Sequence, residues 1–284
     1  MNVTFGLLRV AGTLRRHRAD LVYDLLDEKH LWSDQTQYIN LGYWRNAGGI
    51  DEASTHLVHL VGERAALGPD DRVLDAGFGF GDQDIYWMQR FQPRHIDGVN
   101  VSARQVARAR HRVRDAGLGD RITLRLADAA EPHFPDGSFD KIIALESAFH
   151  FRTRQKFFKT AMRLLRPGGM LILADFVARR PHAANFSAWL GLQFGSVAWQ
   201  IPMGNLHSID TYTAQLRALG FRDITPSHLT ADVIAPFSRF MNSHLEKRSP
   251  WNRYHPLVRW SARLQMKLGF LDSLDYYVVS AIKP

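Results

Sequence analysis

The sequence predicts an α/β fold: a doubly wound sheet of seven strands, with a helical cap inserted between the last two strands. Short apolar runs alternate with helical periods from residue 72 onward, which is typical of a parallel sheet with right-handed crossovers. The runs predicted as successive strands are residues 72–77, 95–100, 121–128, 139–147 and 169–176. Helical spacing of apolar residues predicts helices over 103–117, 154–166 and 209–219. Two further runs, 221–229 and 275–283, complete the sheet.

The composition is that of an ordinary globular protein. Of 284 residues, 45 % are hydrophobic and 23 % are charged, values that exclude collagen, coiled coil and wholesale disorder. The chain has no cysteine, which excludes a thiolate nucleophile, a redox pair and Cys-ligated zinc. No apolar run approaches the ~18 residues of a membrane span, and the N-terminus lacks the features of a signal peptide. We therefore expect a cytoplasmic protein.

The charge balance is basic, with 36 Lys and Arg against 28 Asp and Glu, a net charge of +8. The densest basic cluster, residues 15–18, lies beside several apolar residues. This mixture would suit an amphipathic helix on an anionic membrane, or one that docks on a second subunit of a homo-oligomer. The alternative is that the arginines simply coat the surface. No nucleic-acid partner is expected, because neither a stacked-aromatic motif nor a helix-turn-helix signature accompanies the charge.

We interpret residues 1–284 as a single domain with three parts. Residues 1–65 form an N-terminal helical or lid segment, 66–180 the core, and 181–284 a substrate cap with a final β-hairpin. An aromatic-rich insert at about 230–274 is too apolar and too long for a simple turn. It is predicted to cover the C-terminal edge of the sheet as a helical cap. The alternative is a second core layer.

The most informative stretch is residues 73–81, where a strand runs into three alternating glycines and then into a helix beginning near Asp82. Glycine permits positive φ and lets a ligand touch the backbone, and such turns are where open α/β sheets bind ligands. The pattern D-x-G-x-G-x-G differs from the dinucleotide fingerprint, and no P-loop ending follows. Asp75, just before the glycines, would repel phosphate and would suit a ligand with an ammonium group.

This stretch resembles the first motif of the class I S-adenosylmethionine-dependent methyltransferases, and the resemblance covers residues 70–180. The end of the third strand and the Arg-Pro-Gly-Gly at 166–169 also match. The resemblance implies a Rossmann-like fold, methyl transfer and S-adenosylmethionine as the cofactor. The residues it assigns to the cofactor are Asp75, Gly77, Gly79 and Gly81 at the methionine end and Asp128 and Ala129 at the adenine end.

The end of the second strand departs from the family pattern. Most members have an acidic residue there for both ribose hydroxyls, whereas this sequence has Asn100 followed by Val101. A similar substitution occurs in the branch with cyclopropane fatty-acid synthases and several small-molecule methyltransferases. That likeness places Asn100, Val101 and Gln105 at the cofactor, with Asn100 and Gln105 on the ribose. The alternative for Gln105 is a capping box with Ser102, which would hold its side chain at the helix N-terminus.

Upstream, residues 38–44 look like the segment with which this branch closes over the cofactor. Tyr38 or Tyr43 would reach the carboxylate end or the sulfonium, because aromatic faces attract cations by about 0.5–2 kcal/mol. The alternative is an aromatic plug in the core.

Methyl transfer from a sulfonium needs no metal and no enzymic nucleophile, because the donor is already activated. The protein mainly orients the reactants, which can contribute roughly 7–11 kcal/mol. A hydroxyl or acidic carbon acceptor also gains from a general base. The candidates follow the fourth strand: His150 first, since it titrates near neutrality, and Glu146 second. The alternatives are a structural role for His150 and a loop or cofactor anchor for Glu146.

The acceptor is predicted to be an apolar small molecule of polyketide, terpenoid or quinone type, methylated on oxygen or carbon. In cyclopropane synthases a Glu immediately precedes the His of this segment, and here that position is Phe149. DNA amino-methyltransferases have an Asn/Asp-Pro-Pro-aromatic run that is absent here. The residues predicted to line the acceptor site are Phe149, Trp199, His207 and Tyr212. The competing interpretations are an enzyme acting on lipid or prenyl chains, and a cofactor-binding protein without methyl transfer.

Overall fold

The sheet contains seven strands, which alternate with helices as predicted. The strands are β1 (Arg72–Ala76), β2 (His95–Asn100), β3 (Ile122–Leu126), β4 (Phe139–Leu145), β5 (Leu165–Ala178), β6 (Arg222–His228) and β7 (Leu274–Ile282). Their order across the sheet is β3-β2-β1-β4-β5-β7-β6. The first five strands are parallel, and β7 runs antiparallel to both of its neighbours, β5 and β6. The predicted doubly wound α/β class is confirmed.

The computed structural model describes residues 35–179, 192–193, 195–197, 199–246 and 256–284. The basic cluster at residues 15–18, with its expected membrane or subunit contact, lies outside the described residues. Among those that are described, no helix is both long enough and apolar enough to cross a bilayer.

Helices flank both faces of the sheet. They are α1 (Ile50–Arg64), α2 (Asp82–Arg90), α3 (Ala103–Asp115), α4 (Arg154–Leu164), α5 (Ile209–Ala218), α6 (Thr230–Glu246) and α7 (Pro256–Lys267). Neighbouring strand residues alternate between two cores: Val73 belongs to the cluster that also holds residues of α1, α2 and α3, and Leu74 to the one that holds residues of α4 and α5. Because the central strands β1, β4 and β5 are covered on both faces, most of their residues are buried in a continuous run rather than alternately.

β5 differs from the prediction at its start. The strand begins at Leu165, before the predicted Pro-Gly-Gly turn. Its pairing with β4 jumps from Phe139 opposite Leu165 to Lys141 opposite Met170, so residues 166–169 bulge out between the two pairs. The Pro-Gly-Gly sequence therefore forms a bulge within β5 and does not mark the start of the strand.

The predicted insert between β6 and β7 contains the helices α6 and α7. Val233, Ile234 and Phe237 of α6 are buried in the same core as α1 and α2. Pro236 lies inside α6 and has no N–H for the carbonyl of Asp232. The amide of Trp44 donates to that carbonyl instead, at 2.9 Å. Whether these helices also cover an acceptor stays a prediction.

Candidate functional site

A cavity of about 230 Å³ opens at the carboxyl ends of the central strands. Its wall is built by the glycine turn after β1, the ends of β2 and β4, the turn after β3 and residues 37–40. This edge is where parallel sheets of this topology carry their sites, because the strand order reverses there. The described residues contain no group of His, Asp or Glu side chains arranged to hold a metal ion.

The glycine turn needs glycine for two different reasons. Gly77 and Gly79 line the cavity, with φ of 102° and 57°. A Cβ on Gly77 would lie 2.4 Å from the Cβ of Ser147, so no side chain fits there. Gly81 does not line the cavity. It begins α2 in the left-handed conformation, and a Cβ there would meet Ala109 of α3 at 3.2 Å.

Asp75 does not reach the cavity. It is fully buried and accepts a 2.6 Å hydrogen bond from Gln83 Nε2. Burial raises the pKa of Asp75 to about 7, and burial and the Asp75 charge raise the pKa of neighbouring Asp84 well above its usual range. Gln83 itself lines the cavity, so it stands between the predicted carboxylate and a ligand. Gln83 was not predicted from the sequence, although its place two residues after Gly81 was a usable signal.

The amides at the end of β2 are arranged for a neutral polar ligand. Asn100 Nδ2 donates to Gln105 Oε1 at 2.8 Å, and both residues line the cavity. Ser102 Oγ accepts from the Gln105 backbone N–H at 3.2 Å, so the serine half of the predicted capping box forms. The Gln105 side chain, by contrast, points to Asn100. Its buried Nε2 has no hydrogen-bond partner among the described residues.

The cavity wall also includes the other predicted cofactor residues. Val101, Asp128 and Ala129 all line the cavity. Asp128 Oδ1 accepts from the backbone N–H of Ala130 at 2.8 Å, which fixes the turn after β3. Val101 is 49 % exposed, an unusual fraction for an aliphatic side chain beside a cavity. An apolar face at this point suits a planar ring.

Residues 37–44, which we call the strap, cross the cavity. Tyr38 lines it, whereas Tyr43 does not. Burial, followed by the Asp82 charge, raises the pKa of Tyr38 well above its usual range. Four backbone N–H groups of the strap donate to the rest of the protein. Gln37 N donates to Asp82 Oδ1 at 3.3 Å, Leu41 N to the Glu146 carboxyl at 3.1 Å, Tyr43 N to Ala53 O at 2.8 Å and Trp44 N to Asp232 O at 2.9 Å.

Glu146 holds the strap in place. Both carboxyl oxygens lie 3.1 Å from the amide N of Leu41, and Oε1 also accepts from Tyr276 Oη at 2.9 Å. The residue has a φ of 49°, in the left-handed region that non-glycine residues seldom adopt. Burial raises the pKa of Glu146 to about 8. This geometry corresponds to the anchor alternative, and neither Leu41 nor Tyr276 was identified from the sequence.

His150 lines the cavity at the end of a short 3₁₀ turn, Ala148–His150. Burial lowers the pKa of its imidazole to about 4. The positive charge of Arg154 acts in the same direction, whereas hydrogen bonds to the backbone of Gln200 and Trp199 oppose it. At neutral pH the imidazole is therefore uncharged and able to accept a proton.

The four residues predicted to line an acceptor site lie outside this cavity. Phe149 is 2 % exposed and packs edge-on against Phe176. Trp199 donates to Gln265, and Tyr212 is fully buried and donates to Asp175 at 3.1 Å. The ring of His207 lies 5.8 Å from that of Tyr212. These side chains therefore pack in the core or take part in buried hydrogen bonds, and they do not line the cavity.

Comparison with known proteins agrees with this geometry. A family model described as a methyltransferase domain matches residues 74–173. The chain is 32 % identical over 276 residues to erythromycin 3''-O-methyltransferase of Saccharopolyspora erythraea, covering 94 % of this chain and 90 % of that one. It is 38 % identical over 274 residues to 27-O-demethylrifamycin SV methyltransferase of Amycolatopsis mediterranei, covering 93 % and 95 %. The crystal structure of the cyclase SpnF superposes with a TM-score of 0.75 at 24 % identity, covering 94 % of this chain and 96 % of that one.

Proposed function

This chain belongs to the S-adenosylmethionine-dependent methyltransferases that act on small molecules, and from that premise we propose that it methylates a hydroxyl oxygen of a large polyketide-type natural product. The observation that carries the proposal is His150: an uncharged imidazole in the wall of the cofactor cavity. The two relatives that match over nine-tenths of the chain carry names that refer to O-methylation or O-demethylated substrates.

The cavity fits the cofactor. The unpartnered Nε2 of Gln105, next to the Asn100 amide, suits a ribose hydroxyl. When bound, S-adenosylmethionine supplies an electrophilic methyl group on a positively charged sulfur.

The proposed residue roles follow from position. The turn at Gly77 and Gly79, with Gln83, holds the methionine end. Asn100 and Gln105 hold the ribose. Val101, Asp128 and Ala129, which line the same cavity, would hold the adenine.

His150 is the proposed general base. Its neutral imidazole would take the proton from the acceptor hydroxyl as the C–O bond forms and the S–CH3 bond of the cofactor breaks, so that the products would be the methyl ether, S-adenosylhomocysteine and the protonated imidazole. A base with a pKa of about 4 is weak, so its contribution is to remove the proton as the C–O bond forms rather than to ionise the alcohol beforehand. The strap covers the cavity and limits the access of water. We also propose that Glu146 anchors the strap rather than acting as the base.

The test uses purified protein, S-adenosylmethionine labelled with ¹³C in the methyl group, and two acceptors: 27-O-demethylrifamycin SV and erythromycin lacking its 3''-O-methyl group. Matched acceptors that already carry the methyl ether serve as blanks. We expect O-methylation of an unmethylated acceptor, detected by mass spectrometry and NMR. Label on carbon or nitrogen, or no transfer from protein that binds the cofactor, would contradict the proposal.

Two variants test the base. His150→Gln is expected to lower kcat about 10²–10⁴-fold, the usual contribution of a general base. His207→Gln is the matched control. It is another partly buried, neutral histidine, its pKa lowered to about 4 chiefly by burial, and it does not line the cavity. Equal loss in both variants would indicate that folding, not proton transfer, has been disturbed.

A further inference from the structure

The two backbone carbonyls that flank His150 share one donor. Asn205 Nδ2 donates to Phe149 O at 3.0 Å and to Phe151 O at 2.7 Å. Asn205 is 2 % exposed and comes from the segment that precedes α5, far away in sequence. The turn that carries His150 has few bonds of its own, His150 N to Ser147 O at 3.0 Å and Phe151 N to Ala148 O at 3.2 Å. The amide of Asn205 therefore closes the turn from outside.

The other groups of Asn205 are also engaged. Its Oδ1 accepts from the backbone N–H of Arg154 at 3.1 Å, at the start of α4. Its backbone carbonyl accepts from the Arg154 guanidinium. That guanidinium is buried and pairs with Asp175 at 3.0 Å, and Asp175 in turn accepts from Tyr212 Oη at 3.1 Å. One buried network thus joins α4, the end of β5 and α5 to the His150 turn.

We propose that Asn205 is a positioning residue, which holds the His150 imidazole against the wall of the cofactor cavity so that it meets the acceptor hydroxyl. This inference rests on the proposed base role of His150. Asn205 touches neither the cavity nor any reacting atom, so its effect passes entirely through the turn. A shift of about 1 Å in a catalytic group can cost on the order of a hundredfold in rate, and the two carbonyl bonds prevent such a shift.

The same network sets the charge around the imidazole. Arg154 acts on His150 through its positive charge and is neutralised only in part by its partner Asp175. Two other titratable side chains lie near this turn. His207 is uncharged at neutral pH, and Glu146 follows β4 at the cavity wall. If the turn loosens, water reaches the ring and the first cause of its lowered pKa, burial, is weakened.

The first variant is Asn205→Leu, which keeps the branched shape of the side chain but removes both N–H donors and the acceptor for the Arg154 backbone N–H. The second is Asn205→Ser, which leaves room for a water to reach the two carbonyls and so preserves the fold. Tyr212→Phe is the matched control. It loses one hydrogen bond to Asp175 in the same network and leaves both carbonyls bonded to Asn205. Melting curves and calorimetry with S-adenosylhomocysteine establish that each variant is folded and binds the cofactor product.

Histidine-selective ¹³C NMR gives a readout that needs no acceptor. The His150 resonances are assigned by their absence in His150→Gln. We expect the pKa of His150 to rise from about 4 toward about 6.5 in the Asn205 variants, and to stay unchanged in Tyr212→Phe. When formation of the methylated product is assayed, kcat is expected to fall about tenfold to a hundredfold in Asn205→Leu. Its KM and its affinity for the cofactor are expected to stay within threefold of the wild-type values.

Folded Asn205 variants whose His150 resonances and pKa match the wild type would overturn the inference. So would identical changes in Tyr212→Phe. The proposed function fails separately: if His150→Gln retains full activity, the base role is lost, whereas the NMR measurement still decides whether Asn205 holds the turn.

Discussion

Glu146 offers a quantitative test of the strap, because its carboxyl is buried and its bonds to the strap are known. Replacing it by Gln keeps an acceptor for the Leu41 amide but removes the ionisation. In the folded protein its pKa is raised from 4.5 to about 8, so the folded chain binds this proton more tightly than the unfolded chain does. The stabilising effect is complete below about pH 4.5 and is lost as the pH rises toward 8.

The magnitude follows from the size of the shift. One pKa unit corresponds to about 1.4 kcal/mol, so raising the pH from 5 to 7 costs the wild type roughly 2–3 kcal/mol of unfolding free energy at this group. Glu146→Gln does not suffer that loss. We therefore expect the variant to gain stability relative to the wild type by roughly 2–3 kcal/mol between pH 5 and pH 7.

Thermal unfolding at several pH values between 5 and 8 measures the effect. As the pH rises, the melting temperature of Glu146→Gln should increase relative to that of the wild type by several degrees, at roughly 2–4 °C per kcal/mol for a chain of about this size. Glu131→Gln is the control, because Glu131 is exposed and its hydrogen bond to Lys156 lowers its pKa from the usual 4.5. Its carboxyl is ionised in both the folded and the unfolded chain above pH 5, so this variant should show no divergence from the wild type between pH 5 and 8. A constant difference between Glu146→Gln and wild type across this range would refute the reasoning.

Two further predictions concern the cofactor cavity. Gly77→Ala should abolish measurable binding of S-adenosylhomocysteine in calorimetry, because the new Cβ would lie 2.4 Å from the Ser147 side chain at a φ of 102°. The control is Gly117→Ala, also at positive φ but with nothing within 4 Å of the new Cβ, which should bind it normally. Equal loss of binding in both variants would contradict the steric explanation. Gln105→Leu should weaken the same binding about tenfold, by removal of one hydrogen bond worth about 1 kcal/mol or more, and unchanged affinity would show that Nε2 does not face the ribose.

The alternation of strands and helices and the position of the site could be predicted because they depend on local patterns. Apolar runs, glycines and helical spacing each act over a few residues, and the carboxyl edge of a parallel sheet follows from them. Gly77, Gly79, Asn100 and His150 all line the cavity because each directly follows a strand or occupies its turn. Position relative to a strand end was therefore sufficient to bring these residues together.

The acceptor-side residues could not be predicted in the same way. Tyr212 carries an aromatic ring on a core-facing helical stripe, and the sequence does not show that its hydroxyl meets a buried Asp175. Asp75 shows the same limit, because a carboxylate before a glycine turn can face a ligand or lie behind a neighbour such as Gln83. The choice depends on side-chain direction set by packing, which motif spacing does not encode.

A proline in α6 explains how the strap is hydrogen-bonded to the insert between β6 and β7. Pro236 cannot donate to the carbonyl of Asp232, so that carbonyl, in the first turn of α6, lacks its helical partner. A buried or half-buried carbonyl without a donor is costly, and the amide of Trp44 satisfies it at 2.9 Å. The strap is thus hydrogen-bonded at one end to the insert and at its centre to Glu146, so the first helix between β6 and β7 helps to hold the segment whose residues 37–40 line the cavity. A proline that appears to disrupt a helix therefore supplies a docking point for a segment almost two hundred residues earlier in the sequence.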